Sequence, residues 1–206
     1  MPEIREEALQ LSPPVETGQF RSSELVELVV LDSTIALNVR YATDQNFMGT
    51  VLYSEPRAFL QRPAAEALKR VQAKLSQKGV GLVIYDAYRP WYVTKMFWEA
   101  TPRHQREFVA NPRKGSMHNR GCAVDLGLID LSTGEILDMP SGYDEFSERA
   151  YADYSGGTKQ ARKNRDLLRR EMEAEGYRVN SGEWWHFDYK DWRSYRIQNR
   201  RFEEIN

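Results

Sequence analysis

The chain has little cysteine, little histidine and almost no net charge. Cys122 is the one cysteine among 206 residues. A single thiol excludes an internal disulfide, a multi-thiolate zinc finger, an iron–sulfur cluster and a cysteine-ligated zinc deaminase. The formal net charge is −1, so no global field draws the protein to nucleic acid or to an acidic membrane. Local basic runs such as ARKNRDLLRR are followed at once by EMEAE. Long apolar runs are missing too. No stretch approaches the ~20 residues of a membrane span, and the charged start MPEIREEALQ lacks the apolar core of a secretory signal. The expectation is a cytoplasmic protein, or a periplasmic one whose signal has been trimmed. Repeats and low-complexity tracts are also absent. What is present is ordinary globular composition, 41% hydrophobic and 12% aromatic, enough for one well-buried core.

Residues 1–23 carry Pro2, Pro13, Pro14 and Gly18 among charges and read as a loose N-terminal arm; 24–206 read as one domain. ELVELVVLD (24–32) and IALNVRYA (35–42) have strand character, the second alternating Ile35, Leu37, Val39, Tyr41. RPAAEALKRVQAKLSQKG (62–79) predicts a helix, with Pro63 in its first turn, Gly79 at its end and Ala64, Ala67, Leu68, Val71 and Leu75 in one stripe. VGLVIYDAY (80–88) predicts a buried strand, and WYVTKMFWEA (91–100) an aromatic helix. Residues 101–117 form a polar excursion, 122–130 a strand, 158–176 a second long helix, and YRVN with WWHFDY a closing strand pair. Strands mixed with isolated helices, without regular βαβ alternation, give the class α+β, a single domain with a mainly antiparallel central sheet flanked by helices.

Two stretches carry the chemistry. In SMHNRGCAVDL (116–126), strand parity sends Cys122, Val124, Leu126 and Leu128 into a core and Ala123, Asp125 and Gly127 the other way. Small neighbours leave room above the Asp125 carboxylate for an ion or ligand. His118 lies an odd seven residues earlier, so the chain must bend between them, and Gly121 permits the bend. In SGEWWHFDY (181–189), Trp184, His186 and Asp188 share one strand face, with Glu183 at the strand entry. Two imidazoles and a carboxylate on zinc leave a position for water, and a nearby carboxylate, Glu183, can move the proton. Arg89 ends a buried strand before Pro90, which holds its backbone extended, so its guanidinium could meet an oxyanion or carboxylate.

Plainer roles compete at each position. Asp125 could pair with Arg120, and Arg89 with Asp86. His186 could fill an aromatic cluster, and Glu183 a surface turn. His104, among charged neighbours, reads as solvent-facing. The aromatic helix reads as core, since no basic patch accompanies it.

The motifs YDAYRP (85–90), SMHNRGCAVDL and GEWWHF (182–187), in this order, resemble those of the zinc D-Ala-D-Ala dipeptidases, the VanX type of metallopeptidase. VRYATDQNFMG, MPSGYDEFSERA and NRDLLRREMEAEGY extend the likeness over roughly 25–190. The resemblance implies a small α+β domain, one Zn2+ per chain and a dipeptide substrate, with D-Ala-D-Ala hydrolysed to two D-alanines in peptidoglycan precursor metabolism. It makes His118, Asp125 and His186 the zinc ligands and Glu183 the general acid/base. Arg89 would stabilise the oxyanion. Asp144 would hold the substrate ammonium, and Ser116 and Tyr41 would lie near its carboxylate. A D,D-carboxypeptidase or peptidoglycan endopeptidase of the same group is the alternative. A wall-fragment binding protein with a structural zinc is a further one, although structural sites usually use four protein ligands. Two departures stand out. The segment from Pro90 to Ser116 is shorter than in the family and the arm before residue 24 longer, which bears on pocket access, substrate range and the contact of a homodimer. Cys122 replaces a small hydroxyl and, by parity, faces the core.

Overall fold

The computed structural model describes residues 2–205. A short antiparallel pair, β1 (Leu25–Glu27) and β3 (Phe59–Gln61), flanks a five-stranded sheet. That sheet contains β2 (Ala36–Leu37), β4 (Val80–Asp86), β5 (Ala123–Asp130), β6 (Tyr177–Asn180) and β7 (Glu183–Tyr189), in the order β2-β4-β5-β7-β6. β2 runs parallel to β4; the other neighbours are antiparallel. The fold is α+β, and its sheet is mixed rather than wholly antiparallel.

Two long helices cover one side of the sheet. α3 (Arg62–Ser76) has Pro63 in its first turn and buries Ala64, Ala67, Leu68, Val71 and Leu75. Full burial of Leu68, Val71 and Leu75 stabilises the fold by about 1.5–3 kcal/mol each. α5 (Lys159–Ala174) starts at Thr158, whose hydroxyl accepts from Ala161 N–H at 3.0 Å. Their apolar stripes meet Leu82, Ile84, Val124, Leu126 and Leu128 of the sheet in one cluster that also takes in Cys122, buried as parity requires. α4 (Trp91–Ala100) organises a second cluster with Tyr41, Tyr53, Phe59 and Phe202. Leu37 and Tyr143 pack against both clusters.

Three local expectations are corrected. The N-terminal stretch is not loose throughout: Pro2–Gln10 forms a helix, α1, that packs on α4 through buried Ala8, and Arg5 Nη2 donates to Leu52 O at 2.7 Å. The strand expected over 24–32 stops after β1. Leu28–Leu31 make a single helical turn, α2, closed by Asp32 N–H on Leu28 O at 2.9 Å, because an apolar run of four fits one helical turn as well as a strand. The strand expected over 35–42 keeps only β2. Residues Arg40–Ala42 leave the sheet in a 3-10 turn that buries Tyr41 against Phe97 and Tyr53. Ile35, Val39 and Tyr41 are buried as their alternation suggested, but without strand pairing beyond Leu37. Among the described residues no helix is long and apolar enough to cross a membrane.

Candidate active site

The site starts from the register of the sheet. Asp125 on β5 lies opposite His186 on β7 and, on its other side, opposite Asp86 on β4. Residues paired across strands point to the same face, so these side chains make a polar row. In an unbroken β4, Asp86 would follow Ile84 to the opposite face. A register shift between them turns it over. Gly127 itself faces no open space: a Cβ there would stand 2.5 Å from the Tyr85 hydroxyl, so the small residue makes space for the Tyr85 ring, while Asp125 opens on the cleft.

His118 reaches the row from outside the sheet. It begins a 3-10 turn, His118–Arg120, that closes on Gly121 at φ 69°, the bend that the odd spacing demanded. The Arg89 loop and helix α4 lock this turn. Arg89 N–H donates to His118 O at 3.1 Å, and the Asn119 amide donates to Arg89 O at 2.8 Å and Thr94 Oγ1 at 2.9 Å. Arg120 does not pair with Asp125; its Nη2 meets Glu16 Oε1 at 2.6 Å.

Both imidazoles have defined tautomers. His118 Nδ1 is 2.6 Å from Ala87 O, an acceptor only, so Nδ1 carries the proton and the Nε2 lone pair faces inward. His186 Nε2 is 2.9 Å from Asp188 Oδ1, which in the same way leaves the Nδ1 lone pair facing inward. His186 Nδ1 stands 3.0 Å from Asp125 Oδ1 and 3.1 Å from His118 Nε2, and His118 Nε2 stands 3.3 Å from Asp125 Oδ1. Two lone pairs and a carboxylate oxygen thus converge on one point, which only a proton or a cation relieves. Ligands at ~2.0–2.1 Å from a tetrahedral ion are about 3.3 Å apart, close to the observed triangle. His118, Asp125 and His186 could hold such an ion. The electrostatics report the same convergence. Burial alone would raise the Asp125 pKa, but the two imidazoles outweigh it and hold it below the usual carboxylate range. Burial would lower His186, but hydrogen bonds to Asp125 and Asp188 raise it well above the usual imidazole value.

Around this triangle opens a cleft of about 440 Å³ lined by every side chain singled out from the sequence: Tyr41, Arg89, Ser116, His118, Asp125, Asp144, Glu183 and His186. Glu183 Oε2 lies 4.0 Å from His186 Nδ1 and accepts from Asn180 Nδ2 at 3.0 Å. Burial raises its pKa. Arg89 does pair with Asp86, giving Nε and Nη2 hydrogen bonds to Asp86 Oδ2 at 2.9 and 2.6 Å, while its guanidinium lies 4.7 Å from the Phe97 ring centre and 5.3 Å from that of Tyr41. The structural pairing and the place in the cleft coexist. Asp144 takes a left-handed backbone, φ 59°, which Asp tolerates better than most residues. Burial and the nearby Asp125 raise its pKa. Tyr41 OH donates to Asp144 Oδ2 at 2.9 Å. Ser116 Oγ accepts from Asn119 N–H at 3.3 Å, which leaves its own proton for an acceptor. Phe47, Phe97, Phe108 and Phe146 form the apolar wall. His104 is exposed and outside the cleft.

Three further residues hold this arrangement, of which the sequence suggested only Asp86, as a partner of Arg89. Asp86 anchors Arg89 and accepts from Tyr53 OH at 2.7 Å. Asp188 fixes the His186 ring, and its position two residues on, along the same strand face, was the available signal. Tyr143 donates to Asp125 Oδ2 at 2.9 Å from a loop without periodicity.

The chain is similar in sequence to known proteins. The chain is 38% identical over 181 residues to the D-alanyl-D-alanine dipeptidase of Escherichia coli (strain K12), covering 88% of this chain and 92% of that protein. The dipeptidase of the same name from Streptomyces coelicolor is 33% identical, covering 85% and 93%, and that of Enterococcus faecalis 31% identical, covering 75% and 85%. Residues 21–205 match peptidase family M15, described as D-ala-D-ala dipeptidase. The donor triangle, the acid beside it and these matches make the chain a metallopeptidase that belongs to the M15 D-Ala-D-Ala dipeptidase family.

Proposed function

We propose that this protein hydrolyses the free dipeptide D-Ala-D-Ala to two D-alanines with one zinc ion held by His118, Asp125 and His186. The observation that carries the reading is the convergence of two lone pairs and one carboxylate oxygen beside a carboxylate, Glu183, that is not part of the triangle. When bound, the ion supplies Lewis acidity to water and to the scissile carbonyl. Glu183 takes the proton of the attacking water and returns it to the departing amine. Burial suits it to the task, since a carboxylate with a raised pKa is the stronger base and holds the proton nearer neutrality until the amine departs. Arg89, immobilised by Asp86, offers its charge to the oxyanion of the tetrahedral intermediate. Asp144 receives the substrate ammonium, which stabilises the ionised acid against its buried surroundings. Tyr41 orients that acid, and the Ser116 hydroxyl meets the substrate carboxylate. An acid fixed at the amine end favours a free dipeptide over longer chains. The single buried thiol, Cys122, fits the reducing cytoplasm, where we place the reaction.

The test is hydrolysis of alanine dipeptides of all four stereochemistries, alongside N-acetylated D-Ala-D-Ala, before and after chelation and with zinc restored. The expected pattern is turnover of the free D,D isomer, lost on chelation and regained with zinc. Equal cleavage of the blocked dipeptide would move the chain to the carboxypeptidases of its group. Turnover indifferent to chelation would refute the metal reading.

A further inference from the structure

The outer contacts of the three donors differ in kind. His118 and His186 each fix a ring through a single N–H, to Ala87 O and to Asp188. A carboxylate poses another problem, because both of its oxygens can close on one cation. Asp125 points Oδ1 at the two imidazoles, at 3.0 and 3.3 Å. Its Oδ2 turns away and accepts from Tyr143 OH at 2.9 Å. The nearest cation to Oδ2, Arg89 Nη2, stands 3.8 Å away and is already bonded to Asp86.

The direction of the phenol proton follows from counting and bond strength. Tyr41 and Tyr143 hydroxyls face each other at 3.3 Å, and each has one proton to give. Tyr41 gives its proton to Asp144 at 2.9 Å. Tyr143 can give its one proton to the Tyr41 oxygen at 3.3 Å or to Asp125 Oδ2 at 2.9 Å, and the shorter bond to a carboxylate is the stronger. The ring that carries it sits in an aromatic socket, with its centre 4.9 Å from Tyr85, 5.5 Å from Trp185 and 6.3 Å from Tyr41.

We infer that Tyr143 is a positioning residue for the metal centre: it engages Asp125 Oδ2 so that Asp125 offers the ion one oxygen and a coordination position stays open. The inference rests on the metal reading above. Its test is Tyr143→Phe, which keeps the ring in its socket and removes the donor. Metal-free wild-type and variant proteins are loaded with Zn2+ or Co2+ without substrate. Zinc affinity is read by competition with a chromophoric chelator, the cobalt site by its visible spectrum, and the fold by the melting temperature of the metal-free proteins. The variant is expected to stay folded, melting somewhat below the wild type because buried Asp125 loses a hydrogen bond, and to hold zinc about 10- to 100-fold more weakly, as the loss of an outer-shell partner does. Its cobalt bands should weaken as Asp125 closes with both oxygens and the coordination number rises. An unaltered cobalt spectrum overturns the proposal whatever the affinity does. A wild-type protein that holds neither ion overturns the metal reading and this inference with it; wild-type binding beside an unaltered variant overturns the inference alone.

Discussion

Arg89 has two jobs that a single substitution would confuse. It is 7% exposed, bonded through Nε and Nη2 to Asp86, which is 1% exposed. Arg89→Met leaves a buried, unanswered carboxylate, and breaking one side of a buried pair costs about 3–5 kcal/mol. For a chain of this length each kcal/mol moves the melting temperature by roughly 2–4 °C, so a fall of about 6–20 °C is expected. Lost activity in that variant would then say nothing about chemistry. The informative protein is Asp86→Asn/Arg89→Met. Asn keeps an acceptor for Tyr53, whose hydroxyl lies 2.7 Å from Asp86 Oδ1, and no unpaired charge remains buried. Most of the melting temperature should return in the double variant. Turnover should not. Loss of one oxyanion donor costs about 10²–10³ in kcat, and that deficit should persist beside an Asp86→Asn control. Thermal melts and steady-state kinetics on the four proteins decide it. A double variant that regains kcat together with its melting temperature would show that Arg89 serves the fold alone.

Glu183→Gln should retain the bond to Asn180 and the metal, since Glu183 lies outside the donor triangle, yet lower kcat by about 10²–10⁴-fold; metal content measured beside kcat checks this, and loss of the ion in step with activity would refute it. Gly121→Ala puts a side chain at φ 69° with its Cβ 2.5 Å from Leu25 Cδ2. The left-handed backbone alone costs about 1–2 kcal/mol, so thermal melts should show a clear loss, and zinc titration a weaker site as the His118 turn shifts. Glu175 ties α3 to α5 by ion pairs to Arg70 and Lys74 at 2.6 Å, and hydrogen bonds from Lys74 and Arg70 depress its pKa. A depressed acid stabilises above its unfolded pKa of ~4.3 and loses that contribution as pH falls through its folded value. Both cations are half exposed, so the contribution is only about 0.2–1 kcal/mol. Melting curves of Glu175→Gln and wild type should therefore differ slightly at pH 7 and coincide well below pH 4.

Legibility followed burial periodicity. α3, α4 and α5 present stripes long enough for a 3.6-residue period, and β5 and β7 alternate cleanly, so their sequences announce them. α1 does not, because one buried alanine, Ala8, and a contact with α4 hold a mostly charged segment in place. Val39 and Tyr41 are buried on the period of a strand, yet the second cluster draws them out of the sheet after Leu37. Periodicity records which residues are buried; it does not record which cluster buries them. Asp86 was legible as a partner of Arg89 but not as a member of the polar row, for a related reason. Its direction depends on a register shift of β4 against β5, which no spacing within β4 reveals.

The same bulge explains why the site can work as a charge device. Among the nine-tenths-buried groups of the polar row, Asp86 and Asp125 are acids, Arg89 is a cation, and the two imidazoles have their lone pairs turned inward. Arg89 answers Asp86 through two hydrogen bonds. Asp125 is left with one phenol and the two imidazoles, which are neutral in the tautomers the outer contacts impose until an inward nitrogen takes a proton, as the raised pKa of His186 favours. Counting Arg89 against Asp86 and Asp125 leaves one negative charge in a region that water barely reaches, an expensive condition unless a cation answers it. A proton on an imidazole neutralises that charge and no more. A divalent ion reverses its sign, and a positive centre beside Arg89 is what a carbonyl gathering negative charge requires. Had Asp86 followed Ile84 to the other face, Arg89 would have had Asp125 as its partner, and the row would have been neutral without an ion.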